Sequence, residues 1–176
     1  MKLIKITNSK DPLLAKVPEL YESAFPIEER TATENLLAMI DNCPEMTFNA
    51  IVEDGEFCGM AVIFDLGICR YLLYLATLDE KRNLGLGAKT LHMLQEESSL
   101  PIIGEVEQPT DPIKARRIKF YERNGFHVEL ENPQILNAAH LYDSCVLELI
   151  STQPLDDADE CQRRVVDIVY DCLQNY

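Results

Sequence analysis

Residues 75–87 read Leu75-Ala76-Thr77-Leu78-Asp79-Glu80-Lys81-Arg82-Asn83-Leu84-Gly85-Leu86-Gly87. An apolar run ends at Leu78, a charged turn follows, and two glycines open a new periodic segment. Glycine lets backbone N–H groups turn towards a ligand and approach it closely. A helix beginning near Gly87 adds the partial positive charge of its N-terminus. Together these features form a cradle suited to a pyrophosphate. Lys81, Arg82 and Lys89 concentrate positive charge here, in a chain whose formal net charge is -14. Two other phosphate loops are excluded by residue identity. The P-loop needs glycine before Lys-Ser/Thr, but Ala88 precedes Lys89-Thr90, and Asn83 stands at its first glycine. The dinucleotide fingerprint G-x-G-x-x-G needs a third glycine where Thr90 stands.

On the N-terminal side, Arg70–Leu78 is almost continuously apolar, as expected of a central strand. Thr47–Glu53 and Phe57–Phe64 flank Asp54-Gly55, a strong hairpin signal. Before them, residues 2–6 read as a first strand. Asp11-Pro12 caps a helix carrying Leu13, Leu14, Val17, Leu20, Tyr21 and Phe25. Thr31 and Glu34 have the spacing of a capping box for a second helix with Leu36, Leu37 and Ile40 on its apolar face.

On the C-terminal side, a helix over roughly 87–97 leads to a short strand, Pro101–Val106. Asp111-Pro112 caps a further helix, which Asn124-Gly125 ends. Phe126–Leu130 and Leu141–Ile150 read as the last two strands. After the acidic turn 156–160, Cys161, Val165, Ile168, Val169 and Cys172 form a stripe at helical spacing to about Leu173. The order is β-α-α-β-β-β-α-β-α-β-β-α. It predicts an α/β (α+β) fold whose mixed, mostly antiparallel sheet has about seven strands. A parallel pair lies in the middle, bridged by a helix.

The chain has 176 residues, of which 47% are apolar. That suits one domain with a sizeable core. Residues 1–150 are read as the domain and 151–176 as a helical extension on the same domain or on a partner, which leaves a homodimer open. No apolar run approaches the ~20 residues of a membrane helix. Met1–Ile6 has neither the apolar stretch nor the cleavage site of a secretory signal. The six cysteines, at 43, 58, 69, 145, 161 and 172, form no CxxC pair. They read as small buried hydrophobes in a reducing cytoplasm, without a metal. The acidic balance opposes nucleic-acid binding and is compatible with a cationic substrate.

The stretch 75–87 resembles the acetyl-CoA motif of the GNAT acyltransferases, with its core Arg/Gln-x-x-Gly-x-Gly/Ala. Downstream, Arg117-Ile118-Lys119-Phe120-Tyr121-Glu122-Arg123-Asn124-Gly125-Phe126 is similar to the family's second motif, a helix ending Tyr-x-x-x-Gly-Phe. The resemblance covers about residues 1–150. It departs at Asn83, where many members have glycine, and at Lys114, where many have an asparagine near the cofactor. It implies an N-acetyltransferase that passes the acetyl group of acetyl-CoA directly to a primary amine, on a small molecule or a peptide, in a ternary complex. The alternative is a catalytically inactive acyl-CoA-binding sensor or assembly module.

By the same resemblance, acetyl-CoA contacts Arg82, Asn83, Leu84, Gly85, Leu86, Gly87 and Ala88. The backbone of Ala76, Thr77 or Leu78 lies by the thioester, with Ala76 or Thr77 polarising its carbonyl. Lys114 and Arg117 are candidates for the 3′-phosphate. Tyr121 is the candidate acid for the departing thiolate. Glu105 and Glu107 share one face of a strand, as bases or as contacts for a cationic acceptor. Phe25, Glu28 and Glu29 border the acceptor pocket.

Overall fold

The computed structural model describes all residues except Glu28, Glu29, 129–146 and Tyr176. The expected strand segments 129–130 and 141–146, and Cys145, lie outside the described residues.

Seven strands form one sheet, in the order β1-β2-β3-β4-β5-β7-β6. They are β1 (Lys2–Ile6), β2 (Met46–Glu53), β3 (Glu56–Asp65), β4 (Arg70–Thr77), β5 (Ile102–Glu107), β6 (His127–Val128) and β7 (Leu147–Ser151). Neighbours are antiparallel except β4 and β5. The apolar run at 70–77 is therefore the central strand, as its composition predicts. The β2–β3 hairpin turns at Asp54 and Gly55, with φ of 53° and 83°. Positive φ at both central residues is the turn that matches strand twist.

The helices are α1 (Val17–Ala24), α2 (Thr33–Asn42), α3 (Leu86–Glu96), α4 (Pro112–Arg123), α5 (Ala158–Arg164) and α6 (Asp171–Asn175). α5 and α6 are joined by a π-helical segment, Val165–Tyr170. Two expectations need correction. The segment capped by Asp11 begins as a 3-10 turn over Pro12–Lys16, and only then becomes α-helical. The reason is Pro18, which has no N–H to donate to Leu14. The capping box at Thr31 and Glu34 does not form, and α2 starts two residues later with Ala32 as its N-cap. The hydroxyl of Thr33 donates instead to Glu22 Oε1 at 2.7 Å, joining α2 to α1.

The sheet separates two cores. On one face, α1, α2 and the C-terminal helices cover Phe48, Met60, Phe64, Tyr71, Tyr74, Ile103 and Leu149. On the other, α3 and α4 cover Ile63, Leu72, Ile102, Val106 and Ile150. The C-terminal helices are anchored in the first core through Cys161, Val165, Val169 and Tyr170. Arg164 donates to the carbonyl of Leu66 at 2.7 Å. Cys172 lies 2.7 Å, sulfur to sulfur, from Cys43. Cys161 hydrogen-bonds Cys69. Burial pushes the Cys43 thiol up to about 12, which keeps it protonated and unreactive.

Candidate active site

β4 and β5 pair only at Arg70↔Ile102 and Tyr71↔Ile103. Beyond Tyr71 the two strands diverge. β4 stays on β3 up to Gly59↔Thr77, while β5 stays on β7 up to Glu107↔Leu147. The result is a wedge-shaped opening in the middle of the sheet, and the sequence motifs converge on it.

Backbone alternation decides which groups of β4 face the wedge. Leu78 donates its N–H to Cys58 of β3 at 2.9 Å. A Cβ built on Gly59 would lie 2.3 Å from the Ala76 carbonyl oxygen, so that carbonyl also points at β3. Successive residues of a strand direct their polar groups to opposite sides. Thr77 and Leu75 therefore turn their N–H and C=O towards the wedge. Of the sequence candidates Ala76, Thr77 and Leu78, only Thr77 presents free backbone polarity there.

The glycine loop sits at the end of β4. Asn83 and Gly85 adopt positive φ, 63° and 75°. Asparagine is one of the few non-glycine residues that tolerates this region. Gly85 is the N-cap of α3, and no side chain caps that helix. The N–H groups of Leu86, Gly87 and Ala88 thus lack the side-chain acceptor that Asp111 gives Ile113 and Lys114 at the start of α4, at 2.8 and 2.9 Å. Residues 82–85 are exposed. Uncapped N–H groups at an open helix end favour an anion. A Cβ on Gly87 would meet Phe120 Cζ at 3.2 Å, so this glycine is set by close packing of α3 on α4.

The positive side chains near the loop have carboxylate partners. Arg82 pairs with Asp79 at 2.7 Å, and Lys81 with Glu56 at 3.3 Å. Lys114 and Arg117 both bind Glu107, at 2.8 and 3.1 Å. The pairs of Arg82 and Lys81 are to exposed carboxylates and are weak, so an incoming phosphate competes with them readily.

Tyr121, near the end of α4, packs edge-on against Phe120 and Phe126 with ring centroids 5.4 and 5.3 Å away. Its hydroxyl makes no hydrogen bond among the described residues. Burial pushes its pKa up, and nearby Arg117 partly opposes this. The phenol is therefore protonated at neutral pH. The α4 terminator works as the sequence implies: Gly125 has φ 87°, and Phe126 donates its N–H to the Tyr121 carbonyl at 3.1 Å.

Glu105 and Glu107 do not share surroundings, although alternation places them on one face. Glu107, at the strand end, is drawn to α4 by Lys114 and Arg117. Glu105 stands where β5 leaves β4, on the face covered by the C-terminal helices. Its Oε2 accepts from the hydroxyls of Tyr71 at 2.8 Å and Tyr170 at 2.6 Å. Burial raises the carboxyl pKa, and these two donors counter the shift. Oε1 has no partner among the described residues. Sequence reading missed both tyrosines. Tyr71 lay inside a strand assigned to packing, and Tyr170 fell outside the α-helical stripe.

Phe25 belongs to an aromatic group on the same face as Glu105. Its ring lies 4.6 Å from that of Tyr74 and 5.6 Å from that of Tyr21. The hydroxyl of Tyr21 donates to that of Tyr74 at 3.0 Å. Glu28 and Glu29 lie outside the described residues.

The profile of the acetyltransferase (GNAT) family matches residues 14–126, well over half of the chain. The chain belongs to the acetyltransferase (GNAT) family. Among curated proteins, none matches it. A GNAT-family protein from Bacteroides thetaiotaomicron is similar over almost its whole structure: TM-score 0.82, 28% identity, covering 97% of this chain and 98% of that one. Most of segment 151–176 therefore lies within the shared structure, although no counterpart for it was legible in the sequence. The aminoglycoside 6'-N-acetyltransferase from Enterococcus faecium shares the fold at TM-score 0.61 and 18% identity, covering 89% of this chain and 100% of that one. Arabidopsis thaliana Naa50, solved with the bisubstrate analogue CoA-Ac-MVNAL, does so at TM-score 0.60 and 17% identity, covering 87% and 98%. No described helix is long and apolar enough to cross a membrane.

Proposed function

We propose that this protein is an acetyl-CoA-dependent N-acetyltransferase that transfers acetyl directly to a primary amine in a ternary complex. One observation carries the reading. The wedge between β4 and β5 joins an uncapped, glycine-opened helix end to a carboxylate, Glu105, whose Oε1 has no partner among the described residues. Family membership and the amine acceptors named for the aminoglycoside enzyme and the peptide analogue of Naa50 support it.

In this reading the pyrophosphate rests on the N–H groups of residues 83–88, with Lys114 and Arg117 available to the 3′-phosphate. The thioester lies in the wedge, and the Thr77 N–H polarises its carbonyl. Glu105 accepts a proton from the amine, directly or through one water. The amine nitrogen attacks the carbonyl carbon, a C–N bond forms, and the C–S bond breaks. Tyr121 donates its phenolic proton to the departing thiolate. The products are the amide and free CoA thiol, and Glu105 and Tyr121 return to their starting protonation states through solvent.

Phe25, partly exposed and packed on Tyr74, supplies an aromatic surface on the face that carries Glu105, which suits an ammonium-bearing acceptor. Glu107 holds α4 to β5 and takes no part in proton transfer. The test is thiol release from acetyl-CoA against a panel of polyamines, aminoglycosides, amino acids and peptide N-termini. Amine-dependent release is expected. Tight acetyl-CoA binding with no release across the panel would overturn the reading in favour of an inactive binding module.

A further inference from the structure

Segment 158–175 contributes a side chain to the wedge, not only apolar cover to the sheet. A regular α-helix from Ala158 to Asn175 would carry Cys161, Val165, Val169 and Cys172 along one side and leave Tyr170 off it. The helix instead winds as a π-helix over Val165–Tyr170. Its i→i+5 pattern brings Tyr170 round towards the face that carries Val165, and such π turns often occur at functional sites. Tyr170 is consequently buried, with 7% of its surface exposed. Its hydroxyl donates to Glu105 Oε2 at 2.6 Å.

From this juxtaposition, we infer that Tyr170 of the C-terminal segment is a positioning residue for Glu105, so that the segment completes the acceptor end of the active site. The inference rests on the assignment of Glu105 as the proton acceptor. Three features support a role beyond packing. First, Tyr170 and Tyr71 both donate to the same oxygen, Oε2. The carboxylate is thus held from two elements, and Oε1 is left for the amine or its bridging water. Second, hydrogen bonds from neutral donors favour the charged form of a buried carboxylate against the cost of burial. Third, the segment is fixed in place by anchors independent of Glu105: the Arg164–Leu66 bond, the contact of Cys161 with Cys69 and that of Cys172 with Cys43.

Among the described residues, the ionisable groups facing Glu105 are few. Tyr71 comes from β4 and Tyr170 from the π-helical segment, with Tyr74 next to Tyr170. Across the β5–β7 ladder its partner is the apolar Leu149. On its own strand, Glu107 is engaged by Lys114 and Arg117 of α4.

The experiment uses the full chain with Tyr170→Phe, which keeps the ring and removes only the donor. The readout is the pH dependence of kcat/KM for the best amine found in the panel. Loss of one hydrogen bond to a charged acceptor raises the carboxyl pKa, so the alkaline-rising limb should move to higher pH by about one to two units. Tyr71→Phe should move it the same way. In a Glu105→Gln background, Tyr170→Phe should have no further effect on kcat/KM.

If the limb stays in place in a folded Tyr170→Phe protein while Glu105→Gln abolishes it, the inference fails and the role of Glu105 stands. If Glu105→Gln itself retains both activity and limb, the underlying reading of Glu105 fails. Should Tyr170→Phe fold poorly, its melting temperature is compared with and without Glu105→Gln. Equal losses in the two backgrounds would mean that the hydroxyl does not act through the carboxylate, and would also overturn the inference.

Discussion

Tyr121→Phe separates chemistry from structure with unusual clarity, because the hydroxyl it removes has no hydrogen-bond partner among the described residues. The ring is what packs, against Phe120 at 5.4 Å and Phe126 at 5.3 Å. Phenylalanine keeps both contacts. No hydrogen bond is lost, and a partly buried polar group is removed, so the melting temperature should stay the same or rise slightly. General acid catalysis is worth ~10²–10⁴ in rate, which at 1.36 kcal/mol per tenfold is about 2.7–5.4 kcal/mol of barrier. The expected outcome is therefore a fall in kcat of that order, with the Kd for acetyl-CoA unchanged. The assay is thiol release under saturating amine, paired with equilibrium binding and a thermal melt. A second measurement isolates the acid role. An acetyl thioester whose thiol has a low pKa leaves without needing a proton, and on it the variant should recover most of the lost rate. Near-normal kcat on acetyl-CoA would remove Tyr121 from the mechanism. Equal losses on both thioesters would reduce it to a packing residue.

Other substitutions distinguish the remaining roles. Glu105→Gln should lower kcat and eliminate the alkaline-rising limb, yet raise the melting temperature at alkaline pH. Because burial holds this carboxyl above its usual range, its stabilising contribution is complete below the unfolded value and is lost as pH rises through the folded one. Once the pH is above the folded value the buried charge is thus a cost, and removing it should raise the melting temperature there. A lower melting temperature of the variant at alkaline pH would refute this. Glu107→Gln should leave the limb where it is and lower the melting temperature, since it breaks the pairs with Lys114 and Arg117. A shifted limb would return Glu107 to the mechanism. Gly85→Ala meets no neighbour within 4 Å but must hold φ 75°. It should cost about 1 kcal/mol of stability and weaken acetyl-CoA binding about tenfold or more, measured by calorimetry. Unchanged affinity would place the pyrophosphate elsewhere.

Much of the fold was legible because local chemistry and long-range packing agree along most of the chain. Asp54-Gly55 can satisfy only a tight hairpin, and an unbroken apolar strand from Arg70 to Thr77 can be buried only in the middle of a sheet. Gly125 permits only a helix stop, and the geometry follows in each case. The failures occur where one residue overrides a pattern. Pro18 divides the first helical segment, and Thr33 bonds Glu22 across to α1 instead of leaving Thr31 to form a cap. In the same way, the sequence shows a glycine loop at the end of β4 but not which backbone groups of β4 face the wedge. That depends on the register with β3, which only the Leu78–Cys58 bond and the approach of Gly59 to Ala76 reveal.

The two glutamates show why the site was less legible than the fold. Spacing places Glu105 and Glu107 on one face of β5, and alternation alone gives them equal standing. Their fates are decided by residues 7 to 65 positions away in sequence. Lys114 and Arg117 reach Glu107 because α4 starts at Asp111-Pro112, just past the strand end. Glu105 stays inside, where β5 has already parted from β4 and no ladder partner fills the gap. It receives one hydroxyl from β4 and one from a helix some fifty residues beyond α4. That helix must depart from α-helical winding to deliver Tyr170, and periodicity cannot signal such a departure, because it assumes regular winding. What the sequence does contain is the anchor pattern, Cys161, Val165 and Val169, which fixes the segment on the same face as Glu105. Once that face is known, the one tyrosine between Val169 and Cys172 meets Tyr71 and Glu105 there, and Glu105 is the carboxylate whose Oε1 has no partner among the described residues.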